Sequence, residues 1–348
     1  MTKRPATLAF AFVAAVLGCL ETALADDKPI AAPRLKASER TTEPLIKVDK
    51  PWEDYCLGYC QVIRTGEQWR MWYASFDHKY QNDADCYLCY ATSSDGVHWD
   101  KPELGLVEYE GSKQNNILLH AGVVGASVFE DQLAPPAERF KMAFVKFVDN
   151  RWPVFGGTSP DGIHWTLGDR PLLIYNSDTQ QTCFRDGDGY RLYVRMWDGH
   201  KDFEGNRIVG QSYSRTFGDF PDPQPILGPD EQDPPNMQFY NSSVTKVHDG
   251  LYLALPSGFY KGEDVSRVHA AFSHDGEHFQ RFGARPLLDL GPGFDHKALY
   301  CAPGAVPAGK PGEYWVYYIG SAANHDQPSS PEAKHAGGIG RFRLTIEE

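Results

Sequence analysis

Ala91-Thr92-Ser93-Ser94-Asp95-Gly96-Val97-His98-Trp99 returns, with small changes, as Gly157-Thr158-Ser159-Pro160-Asp161-Gly162-Ile163-His164-Trp165 and as Ala271-Phe272-Ser273-His274-Asp275-Gly276-Glu277-His278-Phe279. A worn fourth copy runs from Gln211 through Ser214 and Gly218 to Phe220. The chemistry is that of a tight turn. Asp accepts from backbone N–H groups ahead of it, Gly takes the positive-φ position, and an aromatic two or three residues on anchors the returning strand. A turn repeated at intervals of roughly 60 residues is the mark of a repeat architecture rather than of a single site.

A second repeat sets the count. Each turn is followed by proline and branched aliphatics: Lys101-Pro102-Glu103-Leu104, Arg170-Pro171-Leu172-Leu173, Gln224-Pro225-Ile226-Leu227 and Arg285-Pro286-Leu287-Leu288. One more, Glu43-Pro44-Leu45-Ile46, stands upstream of the first turn, and about one further period of roughly 60 residues follows the last. Each unit has a clear second strand: Arg70-Met71-Trp72-Tyr73, Lys141 to Val145, Arg191 to Val194, Leu251 to Ala254 and Tyr314 to Tyr318. Hairpin turns such as Gly187-Asp188-Gly189 and Asp249-Gly250 precede them. Beyond the N-terminal apolar run, no long segment carries a 3.6-residue apolar period. The expected fold is all-β, a five-bladed β-propeller with four-stranded blades over residues 43–348. The displaced Pro44 element implies that the N-terminal strand closes the ring and removes an open sheet edge.

Lys3 and Arg4 precede the apolar run Ala6 to Leu20, which ends at Ala23-Leu24-Ala25. This reads as a secretory signal over residues 1–25, cleaved before Asp26, with 26–42 as a polar, flexible leader. Export to the periplasm or the exterior follows. A lipoprotein cleavage box ending at Cys19 is the second reading of the same stretch. A transmembrane anchor fits less well because the apolar core is short, so no membrane insertion is expected after cleavage. Removing residues 1–25 takes away Lys3, Arg4 and Glu21 and moves the formal charge from −12 to −13. An acidic chain without a basic patch argues against nucleic acid as a partner.

In a four-stranded meander the repeated Asp95, Asp161 and Asp275 fall on the face of the third-to-fourth turns, together with Asp186 and Asp188 of a first-to-second turn, and are structural. The opposite face collects the longer polar loops, where sites are built. Trp52-Glu53-Asp54, Asp178, Asp233 to Asn241 and Asp295-His296-Lys297 open inner strands there, and Arg195, Trp197 and His325 follow second strands. Carboxylates, aromatics, amides and His converging on one funnel suit a sugar: rings stack on it, amides and acids bind its hydroxyls, and a carboxylate pair performs acid–base work. The expected catalytic set is Glu53, Asp178 and Asp295. Glu53, beside the apolar ring of Trp52, is the acid or base, Asp178 the nucleophile or base, and Asp295 an orienting group. Trp52, Arg195, Asp233, Tyr240, Asn241 and His325 are the expected sugar contacts. The partner is a carbohydrate, and no metal or cofactor is called for.

Five blades, an export signal and Ser-x-Asp-Gly-x-x-Trp turns followed by proline resemble the five-bladed glycosidases of the invertase, levansucrase and arabinanase kind. The run Ser94 to Trp99 through Asn115-Asn116, with Pro51-Trp52-Glu53, is similar to uncharacterised secreted bacterial proteins near those glycosidases. The resemblance implies a catalytic carboxylate set at the mouth of the central channel and hydrolysis of a poly- or oligosaccharide; a non-catalytic glycan-binding propeller is the alternative. Two elements depart from invertases: Trp52-Glu53-Asp54 replaces Asn-Asp-Pro-Asn-Gly, and Tyr300-Cys301-Ala302-Pro303 is not Glu-Cys-Pro. Six cysteines remain after residue 25: Cys56, Cys60, Cys86, Cys89, Cys183 and Cys301. Zinc, one or two disulfides, and buried thiols are all open readings of them.

Overall fold

The computed structural model describes residues 32–199, 203–241, 243–326 and 334–347, so the expected signal and Cys19 lie outside the described residues. Two N-terminal strands, β1 (Arg34–Ser38) and β2 (Ile46–Lys47), come first. The first repeat holds β3 (Cys56–Thr65), β4 (Gln68–Phe76), β5 (Tyr87–Ser93) and β6 (Ile117–Leu119). The second holds β7 (Val124–Glu130), β8 (Phe140–Val145), β9 (Val154–Ser159) and β10 (Thr166–Leu173). In the third are β11 (Thr182–Asp186), β12 (Gly189–Trp197), β13 (Arg207–Ser214) and β14 (Gln224–Leu227). The fourth runs through β15 (Met237–Phe239), β16 (Val244–His248), β17 (Leu251–Ala254), β18 (Ser257–Tyr260), β19 (Val265–Val268), β20 (Ala271–Ser273) and β21 (Gln280–Arg281). The last has β22 (Ala298–Cys301), β23 (Val306–Pro307), β24 (Glu313–Ser321) and β25 (Gly338–Glu347).

The chain is all-β with a propeller-like arrangement, four antiparallel four-stranded sheets and one nine-stranded sheet. Five separate blades are not what the sheet boundaries draw. The fourth repeat is split: β16, β17, β20 and β21 form a sheet of their own, while β15, β18 and β19 belong to the nine-stranded sheet. The break follows from Pro256, which lies between β17 and β18 and has no N–H to give the ladder. Across the break the His269 N–H donates to the Pro256 carbonyl at 2.9 Å. One parallel pair, Ser266 with Ala298, then joins β19 to β22.

β2 pairs with β25 through Ile46–Ile339 and Lys47–Gly338. β1 pairs with the far end of β25, from Arg34–Glu347 to Ser38–Arg343. The expectation of a loose leader over 26–42 therefore fails for Arg34–Ser38. Alternating burial along this strand places Leu35 and Ala37 against a core that includes Leu344 and Ile346.

The repeated turns are built as their sequence implies, with an additional role. In the first, Asp95 Oδ1 accepts from the N–H groups of Val97 and His98, both at 2.8 Å, and Ser93 Oγ accepts from Gly96 N–H at 2.8 Å. Gly96, Gly162 and Gly276 all have φ between +72° and +77°. Each exposes a carbonyl to the preceding repeat or, for the first, to the last. Gly96 O accepts from Tyr317 Oη at 2.8 Å, Gly162 O from Trp72 Nε1 at 2.8 Å, and Gly276 O from Tyr193 Oη at 3.0 Å. The motif is a staple between neighbouring sheets.

A second set of bonds joins the inner strands, whose free edges present unpaired backbone groups. Gln61 Nε2 donates to Pro303 O at 2.7 Å, and Gln180 Nε2 to both Cys60 O at 2.9 Å and Ala126 O at 3.0 Å. Cys183 N donates to Ser127 Oγ, Val244 N to Thr182 Oγ1 and Ala305 N to Thr245 Oγ1. Residues of β3, β7, β11, β16 and β23 consequently line one cavity of about 250 Å³. The six cysteines carry free thiols, five of them buried.

Candidate functional site

At the other end of the inner strands lies a cavity of about 300 Å³, walled by Tyr59, Phe76, Tyr80, Tyr240 and Tyr300 and carrying Asp83, His325 and Lys334. Tyr59 is placed by a bulge: β3 slips register between Gly58 and Cys60, and Tyr59 sits at φ 31°. A bulge re-aims the side chain it carries, and a non-glycine residue in the left-handed region stores strain that recurs at functional positions. Asp83 opens a one-turn 3₁₀ helix, Asp83–Asp85, whose orientation is fixed by a capping box with Asn82. Tyr80 Oη donates to Asp83 Oδ1 at 3.0 Å. Burial and the neighbouring charge of Asp178 raise the Asp83 pKa, while Tyr80, Lys334 and Arg195 pull it down.

Asp178 and Arg195 lie behind the Tyr240 wall, near enough for their charges to act on Asp83. Arg195, which is 2% exposed, donates from Nη1 to Asp178 Oδ1 at 2.6 Å. Its Nε and Nη2 donate to the Tyr240 carbonyl at 2.9 and 2.6 Å, and its guanidinium lies 4.1 Å from the centre of the Tyr240 ring. Tyr240 is edge-on to His325 at 4.6 Å. Tyr300 Oη and His325 Nδ1 are 3.1 Å apart. Burial, with Arg207 and Arg195 nearby, lowers the His325 pKa to about 4, so this ring is neutral at pH 7 and offers one donor and one acceptor.

Of the residues expected from sequence, Tyr240 and His325 line the cavity, and Asp178 and Arg195 adjoin it through Tyr240. The rest do not. Glu53 is fully buried, accepting from Tyr73 Oη and Lys101 Nζ, both at 2.7 Å. Asp295 is buried too, held by Arg40 and by Tyr318 Oη at 2.8 Å. Asp233 is clamped by Arg281, whose Nη2 donates to Oδ1 at 2.7 Å. Trp52 packs in the core edge-on to Tyr109, its Nε1 donating to Asn116 Oδ1 at 2.9 Å. Asn241 donates to Cys301 O and accepts from Ser257 N, tying the fourth repeat to the last. None of these five lines the cavity: each opens or flanks an inner strand, as read from sequence, but turns into the protein where a partner satisfies it.

Asp83 and Tyr59 were not singled out from sequence. Asp83 lies in the long connection from β4 to β5, one acid among Asp77, Asp83 and Asp85, and no repeat marks it. Tyr59 stands mid-strand, where only the bulge turns it to the cavity. Among the described residues no cluster of three or more potential metal ligands occurs, and no helix is long and apolar enough to cross a membrane.

No family model matches the chain. Solved structures share its fold across most of its length. A glycoside hydrolase superposes with a TM-score of 0.63 at 13% identity, over 90% of this chain and 92% of that one. A member of the GH130 family of mannoside phosphorylases, a family containing glycoside hydrolases that target β-1,2-mannosidic linkages in Candida mannan, gives 0.60 at 13%, over 90% and 94%. An N-acetylgalactosamine deacetylase from F. plautii, in complex with blood group B trisaccharide, gives 0.59 at 16%, over 89% and 95%. At these identities the likeness defines the fold. Among curated proteins, an uncharacterised protein of Mycobacterium tuberculosis is 24% identical over 169 residues, 46% of this chain and 52% of its own length. The chain thus spans about half the length of the curated relatives it matches.

Proposed function

We propose that this protein is an exported glycoside hydrolase, a five-bladed propeller closed by its N-terminal strands, acting on a saccharide bound in the tyrosine-walled cavity. The observation that carries the reading is Asp83. It is a half-buried carboxyl in an aromatic cavity, pushed toward its protonated form by burial and by the charge of a second carboxylate, Asp178. Two acids in unlike surroundings divide the roles of acid and base. Asp83 gives its proton to the glycosidic oxygen as the C–O bond breaks. Asp178, oriented by Arg195, serves the anomeric carbon from the other side, by deprotonating water or by direct attack. Tyr59, Tyr240 and Tyr300 supply ring faces, and neutral His325 a hydroxyl contact.

The reading is tested with a reducing-sugar screen over plant, algal and fungal polysaccharides, using wild type, Asp83→Asn and Asp178→Asn. Hydrolysis by wild type, lost by about 10²–10⁴-fold in either variant with the fold retained, supports it. Binding without hydrolysis would replace it with the non-catalytic glycan-binding reading. Variants with wild-type turnover would remove the two residues from the mechanism, and anomer-resolved NMR of the products separates the two roles open to Asp178. Export is tested separately: N-terminal sequencing of secreted protein should begin at Asp26, and a lipidated Cys19 would make it an anchored lipoprotein.

A further inference from the structure

Trp197 and Arg207 face each other as register partners at the ends of β12 and β13. Arg207 lies 5.1 Å from the centre of the Trp197 ring, 5.4 Å from Tyr240 and 5.9 Å from Phe259. Tyr240 is itself a cavity wall. Among the described residues the Arg207 side chain has a single acceptor: Nη1 donates to Gln238 Oε1 at 2.7 Å. Its Nε is buried without a partner, and so is the indole Nε1 of Trp197. Buried donors are almost always satisfied, so two adjacent orphans call for an acceptor that the described residues do not supply. Nor is the charge matched. Arg191, Arg195 and Arg281 each pair with a carboxylate, whereas Arg207 makes no ion pair among the described residues. Two acids, Asp178 and Asp326, act on its charge without pairing with it, and Asp178 is engaged by Arg195.

We propose that Arg207, with the Trp197 indole beside it, recognises an anionic substituent on the bound sugar, a uronate carboxylate or a sulfate ester. This rests on the carbohydrate reading above and narrows it to acidic glycans. A guanidinium bordered by three rings presents its donors in a planar fork, which suits the paired oxygens of a carboxylate or sulfate. Burial, followed by repulsion from Arg195, lowers the Arg207 pKa, as expected of a cation that awaits a counter-charge.

The test is a ligand-observed NMR titration at low salt. The probes are methyl glucoside, galactoside and mannoside, each with its uronate and its 6-sulfate. At least one acidic sugar should bind wild type about ten-fold or more tightly than its neutral parent, with the uronate and sulfate arms showing which anion is meant. Arg207→Gln should abolish that preference, so that acidic and neutral sugars bind alike. Trp197→Phe, which keeps the stacking and removes the N–H, should weaken it, and Arg207→Lys should keep part of it. Equal binding of acidic and neutral sugars by wild type, or an unchanged preference in Arg207→Gln, overturns the acidic-glycan assignment alone. If none of the sugars binds, the carbohydrate reading falls with it.

Discussion

Arg195 holds Asp178 with one nitrogen and the Tyr240 carbonyl with its other two. A single buried guanidinium thus fixes a carboxylate of the third repeat against an aromatic of the fourth. Burial of the cation opposes its charge, but Asp178, Tyr240 and Tyr59 together keep its pKa above the ordinary value. It remains charged at any working pH and, with Lys334 and Asp178, makes up the field in which Asp83 titrates.

That field gives the first prediction. In wild type the Asp83 carboxyl should titrate above the ordinary aspartate value, because burial and Asp178 both disfavour its charged form. Asp178→Asn removes the like charge and leaves Arg195 uncompensated, so the Asp83 pKa should fall. Carbon-detected NMR of the carboxyl reads the shift directly. An unchanged Asp83 in that variant would show that the two groups do not sense each other.

Much of this fold was legible because the informative signals were local. The Ser-x-Asp-Gly turn closes within six residues, so its geometry is written where it forms. The division of the fourth repeat at Pro256 was not legible, since it depends on which partner β18 and β19 find across the molecule. The site divided along the same line. Tyr240 and His325, which line the cavity, were readable from their positions at strand ends. Glu53 and Asp295 had equally good positions, but Lys101 and Arg40 lie 48 and 255 residues away and claim their charges. Asp83 is set in the cavity only by neighbours that sequence does not reveal.

Glu53 should therefore matter for stability rather than turnover. Glu53→Gln leaves the Lys101 ammonium, whose side chain is 9% exposed, without its buried counter-charge. Removing one member of such a pair costs about 3–5 kcal/mol. Asp49 also pairs with Lys101 at 2.7 Å and should hold the cost near the lower end. Adding Lys101→Met should recover part of the loss. Denaturant midpoints of the two single variants and the double variant measure the coupling. Wild-type turnover per folded molecule is expected in all three.

The staple turns give a backbone prediction. An added Cβ at Gly96 would come within 2.6 Å of Tyr317 Oη and 2.9 Å of Arg341 Nη1, at a φ of +72°. Left-handed strain and overpacking together predict a loss of about 2–4 kcal/mol for Gly96→Ala. Gly66, with φ +60° and nothing within 4 Å of its added Cβ, isolates the conformational part. Gly66→Ala should cost only about 1–2 kcal/mol. Equal melting temperatures for the two variants would show that the contact with the last repeat contributes nothing.

Acid sensitivity should come from His269 before the carboxylates. The ring is 1% exposed, its Nε2 lies 2.8 Å from Tyr260 Oη, and its Nδ1 is buried without a partner. Burial, with Arg281 near, lowers its pKa to about 4; Asp233 pulls the other way, and Arg267 adds to the lowering. Between that value and the unfolded pKa of about 6.5, the unfolded chain binds more protons than the native one. Stability is then fully present above about pH 6.5 and lost as pH falls toward 4, by up to about 3 kcal/mol from this group. His325, lowered to about 4 as well, adds a contribution of the same sign. His269→Gln keeps a polar partner for Tyr260 and cannot be protonated. Its denaturant midpoint should start below wild type at pH 7.5 and decline less between pH 6.5 and 4.5. A decline as steep as that of wild type would place the acid sensitivity elsewhere.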